Sequence, residues 1–228
     1  MSKPLFLVYT DHPMCSIDCA DAVCEVLNES GLYDARMVGP DSHPKTALTK
    51  ALLKKADCVV FGGGLGDSDQ FDDTLYSYSA SIKNYVKNGG KYLGICMGSY
   101  FSGSHYFDLL LGYDAVQYIK RKGSTVKVSG PSIVKLVWNN GQKYSIYFHD
   151  GAAFVETPNI HDANIIARYK NGDIAALIQD HKKGKIGVIG PHPEARKWWF
   201  YSQTKIKDNW KNSVHPKLLL DFVKQLLK

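Results

Sequence analysis

Five residues constrain this chain more than any others: Gly94-Ile95-Cys96-Met97-Gly98. They follow Lys91-Tyr92-Leu93 and precede Ser99-Tyr100-Phe101. A strand that ends in Gly-x-Cys-x-Gly and turns at once into a helix is a nucleophile elbow, with sulfur in place of the usual hydroxyl. The turn forces its central residue into a strained backbone conformation. Side chains at the two flanking positions would collide with the neighbouring strand or helix, which is why both are glycine.

A second signal lies far downstream. Gly190-Pro191-His192-Pro193-Glu194 follows the strand-like run Ile186-Gly187-Val188-Ile189. A thiol, an imidazole and a carboxylate to orient the imidazole make a complete set for nucleophilic catalysis. Cys96 is the expected nucleophile, His192 the base and acid, and Glu194 the orienting group. The helix start favours the thiolate. The tetrahedral intermediate of acyl transfer needs N–H donors. Met97, directly after the nucleophile, is one expected donor. The glycine run Gly62-Gly63-Gly64 is the other, because glycine lets the backbone turn its amides toward a crevice. That run is neither a dinucleotide fingerprint nor a P-loop, since no Gly-Lys-Ser/Thr follows it.

The first half of the chain alternates strand and helix. Leu5–Tyr9 reads as a strand, and Ala20, Val23, Cys24 and Leu27 then recur at helical spacing with Gly31 as the stop. A strand is expected at Ala35–Val38. A helix is expected from Ala47, Leu48, Ala51 and Leu52, then a buried strand at Asp57–Phe61. A third helix is expected over about Asp72–Lys87. This order predicts an α/β fold: a doubly wound, mostly parallel sheet with helices on both faces. From about 113 to 154 the residues favour strands instead. The expected ones are Val126-Lys127-Val128, Ile133–Trp138 and Lys143–Phe148, the last two joined by the hairpin signal Asn139-Asn140-Gly141-Gln142. Strands at Asn164–Tyr169 and Ile174–Gln179 follow, and an amphipathic helix carrying Leu218, Leu219, Phe222, Val223, Leu226 and Leu227 closes the chain. Residues 1–228 are expected to form a single domain with that β-rich insertion.

Composition narrows the setting. The hydrophobic fraction of 44% supports a substantial core, and no apolar stretch approaches the length of a membrane span. The segment Leu5–Tyr9 is too short for a signal peptide, so a cytoplasmic protein without membrane contact is expected. The five cysteines suit no secreted disulfide framework. His12, Cys15 and Cys19 lack the paired Cys-x-x-Cys of a zinc site, so no metal is expected. The net charge is +6, and basic residues outnumber acidic ones from Lys182 onward, interleaved with Trp198, Trp199, Phe200, Tyr201 and Trp210. No nucleic-acid motif accompanies them, so they read as a solvated lysine-rich face rather than a nucleic-acid site.

At the elbow and at His192-Pro193-Glu194 the chain resembles the class I glutamine amidotransferase superfamily, whose triad is Cys-His-Glu in that order. The resemblance sharpens to one branch, the N-terminal domain of eukaryotic-type biotin–protein ligases and its stand-alone relatives. Asn88–Phe101 is similar to that family's central block, Gly190–Glu194 to its closing block, and Tyr147–Phe154 more loosely to a third. The resemblance implies a flavodoxin-like sheet and a thiol-dependent reaction on a small amide or peptide-like substrate, with no cofactor. It implies that Gly63, Gly64, Met97, Tyr100 and His149 line the substrate site. It also makes a separate synthetase or ligase a candidate partner. Two departures shape the expectation. Glutamine amidotransferases usually carry Gln where this chain has Tyr100, which argues against glutamine as substrate. The basic glycine-rich adenylate loop of the ligases has no counterpart, since Lys120-Arg121-Lys122-Gly123 is only a charged turn. The competing expectation is a binding or regulatory module that kept the fold and lost turnover.

Overall fold

The computed structural model describes residues 2–158, 162–211 and 214–228. In chain order it contains β1 (Leu5–Tyr9), α1 (Ile17–Glu29), β2 (Asp34–Val38), α2 (Lys50–Leu53), β3 (Cys58–Phe61), α3 (Ser68–Thr74) and α4 (Ser79–Lys87). Next come β4 (Lys91–Ile95), α5 (Met97–Tyr100), β5 (Tyr113–Gln117), β6 (Ser132–Trp138), β7 (Lys143–Phe148) and β8 (Ala152–Glu156). The chain ends with β9 (Asn164–Tyr169), β10 (Ile174–His181), β11 (Gly184–Ile189), α6 (Lys197–Tyr201) and α7 (Val214–Leu226).

Strand alternation explains why helices cover both faces of the sheet. In β1, Phe6 and Val8 join one buried cluster while Leu7 and Tyr9 join another. In β3, Cys58 and Val60 separate from Val59 and Phe61 in the same way. Strands that are apolar on both sides must be buried on both sides. The first cluster is closed by Ala20, Val23 and Leu27 of α1 and by Leu218, Leu219, Phe222 and Val223 of α7. The second is closed by Leu53, Phe71, Ile82 and Val86, from α2, α3 and α4.

The sheet runs in the order β2-β1-β3-β4-β11-β10-β9-β6-β7. The pairs β2–β1, β1–β3, β3–β4 and β4–β11 are parallel. These five strands make the flavodoxin-like core, in which ligands bind beyond the carboxyl ends of the strands. The remaining pairs are antiparallel. β6 and β7 form the expected hairpin, with Gly141 at φ +78°, and join the same sheet through β9. β5 pairs with β8, which touches β10 at Phe154 and Ile174. Among the described residues, no helix is long and apolar enough to cross a membrane.

Three local expectations are corrected. Val126-Lys127-Val128 is not a strand. The Ser124 hydroxyl lies within hydrogen-bonding distance of the carbonyl oxygens of both Ile119 and Val126, which holds the segment as a loop after the Gly123 turn at φ +72°. The third helix begins earlier than expected and is broken. Asp67 and Gln70 form a capping box that starts α3 at Ser68, and a single 3-10 turn at Tyr76–Tyr78 separates α3 from α4. The second helix is a single turn. Thr49 accepts a hydrogen bond from the Leu52 N–H at 3.1 Å, so the helix starts after Leu48, which is buried nonetheless.

Candidate active site

Cys96 sits between the carboxyl end of β4 and the start of α5, with φ 51° and ψ −108°. A side chain meets a steric penalty in that conformation, so the turn holds Cys96 by force of its surroundings. Its N–H donates to the Ile189 carbonyl at 2.9 Å, and the Gly98 N–H donates to the Gly62 carbonyl at 3.0 Å. The two flanking glycines are sterically required. A Cβ at Gly94 would lie 2.4 Å from the Gly98 oxygen, and one at Gly98 would lie 1.9 Å from the Phe61 oxygen.

β11 runs beside β4, pairing Ile189 with Ile95, so the segment after β11 emerges next to the elbow. That segment carries His192 and Glu194, both buried. His192 Nδ1 lies 2.7 Å from Glu194 Oε1. This contact engages Nδ1 and leaves Nε2 as the working nitrogen. The ring packs against the rings of Tyr147 and Trp199, at centroid distances of 5.8 and 5.3 Å, and those two rings also meet each other at 5.3 Å. Burial works against a charged imidazole here. The negative charges of Cys96 and Glu194, together with hydrogen bonds that the ring donates to both, outweigh it and hold His192 well above the usual histidine range. The Cys96 sulfur also lies 3.3 Å from the His149 carbonyl oxygen, a contact in which a protonated thiol donates.

The other expected site residues gather around these three. Gly63 follows β3, and a Cβ there would meet His192 Cε1 at 2.7 Å, Cys19 Sγ at 2.8 Å and Cys96 Cβ at 3.7 Å. Gly64, Met97, Tyr100 and His149 all line a cavity of about 640 Å³ together with Cys96 and His192. Among the described residues, the backbone N–H groups of Gly63, Gly64 and Met97 have no hydrogen-bond acceptor. The Tyr100 hydroxyl donates to the Asp150 carbonyl at 3.0 Å. Burial, then His192, lower the pKa of His149 against the opposing pull of Asp150.

His12, Cys15 and Cys19 do not converge. Cys15 is buried in the core on the α2–α4 side, while Cys19 turns the other way. Ser16 caps α1 and bonds the Cys19 N–H at 3.2 Å, which sets Cys19 on the first turn facing the site. Its sulfur, a ring nitrogen of His192 and an oxygen of Glu194 all lie within 4.8 Å of one another. Burial pushes the Cys19 thiol up to about 12 despite the attraction of His192. Sequence reasoning did not place Cys19 or Trp199 at the site. The serine cap three residues before Cys19 is the one local signal for the first. Within the aromatic run of this region Trp199 and Phe200 are buried, whereas Trp198 and Tyr201 are exposed.

The family described as "Biotin-protein ligase, N terminal" matches residues 7–109 and 110–227. A biotin–protein ligase of Schizosaccharomyces pombe is 31% identical over 162 residues, 60% of this chain and 25% of that protein. An uncharacterized protein of Chlamydia muridarum is 29% identical over 137 residues, 51% of this chain and 52% of that one. The matches thus span about a quarter and about half of these relatives' lengths. Among solved structures, a putative GMP synthase component from Thermoplasma acidophilum superposes with a TM-score of 0.61 at 15% identity, covering 98% of this chain and 94% of that one. A glutamine amidotransferase from Methylobacillus flagellatus gives 0.57 at 13% identity, covering 91% and 77%. At such identities these two similarities speak to the fold alone. The match over nearly all of the sequence is of another kind: the chain belongs to the biotin–protein ligase N-terminal family.

Proposed function

We propose that this protein is a cysteine-dependent amidohydrolase or amidotransferase-like enzyme that transfers an acyl group through a thioester. The observation that carries this reading is the pairing of His192 with Glu194 at 2.7 Å beside a cysteine on a strained strand-to-helix turn. Cys96 Sγ attacks the amide carbonyl carbon. The oxyanion that forms is met by the free N–H groups of Gly63, Gly64 and Met97. His192 passes its Nε2 proton to the leaving nitrogen, and the C–N bond breaks to give a thioester and a free amine. Water, deprotonated by the same nitrogen, then releases the acid and restores the thiolate. Glu194 fixes the ring and favours its charged form throughout. The substrate is a small amide or peptide-like molecule.

Treatment with an electrophilic glutamine analogue, followed by intact mass, tests the nucleophile. A single adduct is expected, mapping to Cys96 and absent in Cys96→Ala. A protein left unmodified under conditions that label a known amidotransferase overturns the reading.

A second reading is supported by Tyr100. Its hydroxyl is tied to the Asp150 carbonyl across the cavity, at the position where the resemblance leads one to expect glutamine. In this reading the protein is a binding or regulatory module, with a separate synthetase or ligase as its partner. Ligand binding that persists in Cys96→Ala, with no turnover of any amide offered, is the result it requires.

A further inference from the structure

We infer that the cavity selects an amide that carries a cationic amine on an apolar stem, and that it rejects amino-acid amides bearing a free carboxylate, glutamine included. This rests on the acyl-transfer reading of the same site and adds its substrate class.

A glutamine-like substrate brings a carboxylate, which inside a cavity needs a cation or several N–H donors. Among the described residues, no lysine or arginine lines the cavity. Arg196, on the same loop as Glu194, is already paired with Glu25 and Glu29 of α1. The cavity is lined instead by the carboxylates of Asp18 and Asp150, and among the described residues neither pairs with a lysine or arginine.

Asp150 accepts from the Ser129 hydroxyl through Oδ2, but its Oδ1 is buried and has no partner among the described residues. The carboxylate thus keeps its charge without a compensating cation, and an ammonium group in the cavity complements that charge. Trp199 Nε1 is likewise buried and without a partner, on a residue that is 7% exposed and lines the same cavity.

Ile17, Leu65 and Trp198 line the cavity while remaining 47%, 74% and 51% exposed. Exposed apolar side chains in the lining fit an apolar stem, and an indole face also attracts a cation.

The test uses three chloromethyl ketones of equal length that end in an ammonium, a methyl or a carboxylate group. The rate of adduct formation at Cys96 is read by intact mass and peptide mapping. The ammonium probe is expected to react at least about tenfold faster than the carboxylate probe. That advantage is expected to shrink in Asp150→Asn and in Asp18→Asn, and with rising salt. A carboxylate probe that reacts as fast as the ammonium one, or an advantage unchanged in both variants, overturns the inference. A second arm measures calorimetric binding of the matching non-reactive amides to Cys96→Ala. The same order of affinity supports the inference, and binding indifferent to charge overturns it. Ordered binding in the second arm with no adduct in the first removes the acyl-transfer reading and leaves the ligand preference standing.

Discussion

His192 and Glu194 are two residues apart, buried, and joined at 2.7 Å from Nδ1 to Oε1. The intervening Pro193 stiffens the backbone, so the carboxylate holds the ring at Nδ1 while Tyr147 and Trp199 pack against it in T-shaped contacts. Glu194 Oε2 is buried without a partner among the described residues, so the carboxylate has nothing else to do than face the imidazole. Glu194→Gln keeps the shape and removes the charge. Alkylation of Cys96 by a small electrophile should then slow by about 10²-fold, because the imidazolium that supports the thiolate loses its counter-charge. A labelling rate equal to the wild type's would exclude Glu194 from the site.

Gly63 and Gly98 give a contrast between two steric penalties. A Cβ at 63 meets side-chain atoms, His192 Cε1 at 2.7 Å and Cys19 Sγ at 2.8 Å. A Cβ at 98 meets the backbone oxygen of Phe61 at 1.9 Å, which has no room to retreat. Gly63→Ala should therefore fold with a cost of about 1–3 kcal/mol and lose reactivity at Cys96, since the imidazole is what moves. Gly98→Ala should lose more stability, because strand β3 and the elbow must part. Urea unfolding of both variants, read beside Cys96 labelling, separates the two. Equal stabilities would contradict the steric account.

The strain at Cys96 predicts an unusual order of stabilities. With φ 51° and ψ −108°, any residue with a Cβ is held in a disfavoured conformation, and glycine is not. Removing the thiol as Cys96→Ala keeps the strain, whereas Cys96→Gly releases it. The glycine variant should be the more stable of the two by about 1 kcal/mol, although glycine elsewhere usually costs stability. Thermal melts that put the alanine variant above the glycine variant would count against a strained elbow.

Much of this was legible in the sequence because it is local. The elbow glycines, the His-Pro-Glu turn and the period-2 strands each state their geometry within a few residues. The capping box of Asp67 and Gln70 was equally local, and reading it would have placed the start of α3 at Ser68. Val126-Lys127-Val128 misled for the opposite reason. Its β-branched residues favour a strand, but its partners are the hydroxyl of Ser124 and a core that takes Val126 and leaves Val128 in water. The approach of Cys19 to His192 and Glu194 was invisible because it joins α1 to the loop after β11 across the sheet. So was the link between Tyr100 and Asp150, fifty residues apart.

His215 ties stability to pH. It lies at the start of α7, buried, with Nε2 accepting the Tyr147 N–H at 3.0 Å. Tyr147 in turn offers its carbonyl to the His192 N–H at 2.9 Å, so His215 supports the strand that positions the site. Burial, and then the nearby His192, push the pKa of His215 down from 6.5 to about 4. The folded state therefore holds this ring neutral while the unfolded chain takes up a proton first as the pH falls. The contribution of the neutral ring is complete above about pH 6.5 and is lost as the pH drops from there toward 4. Its full size is on the order of 3 kcal/mol. His215→Gln places an amide oxygen where Nε2 accepts and cannot take up a proton. Urea unfolding across this range should give a wild-type stability that falls more steeply than the variant's, by about one proton's worth of slope. Parallel curves would mean that the ring is not held neutral in the fold.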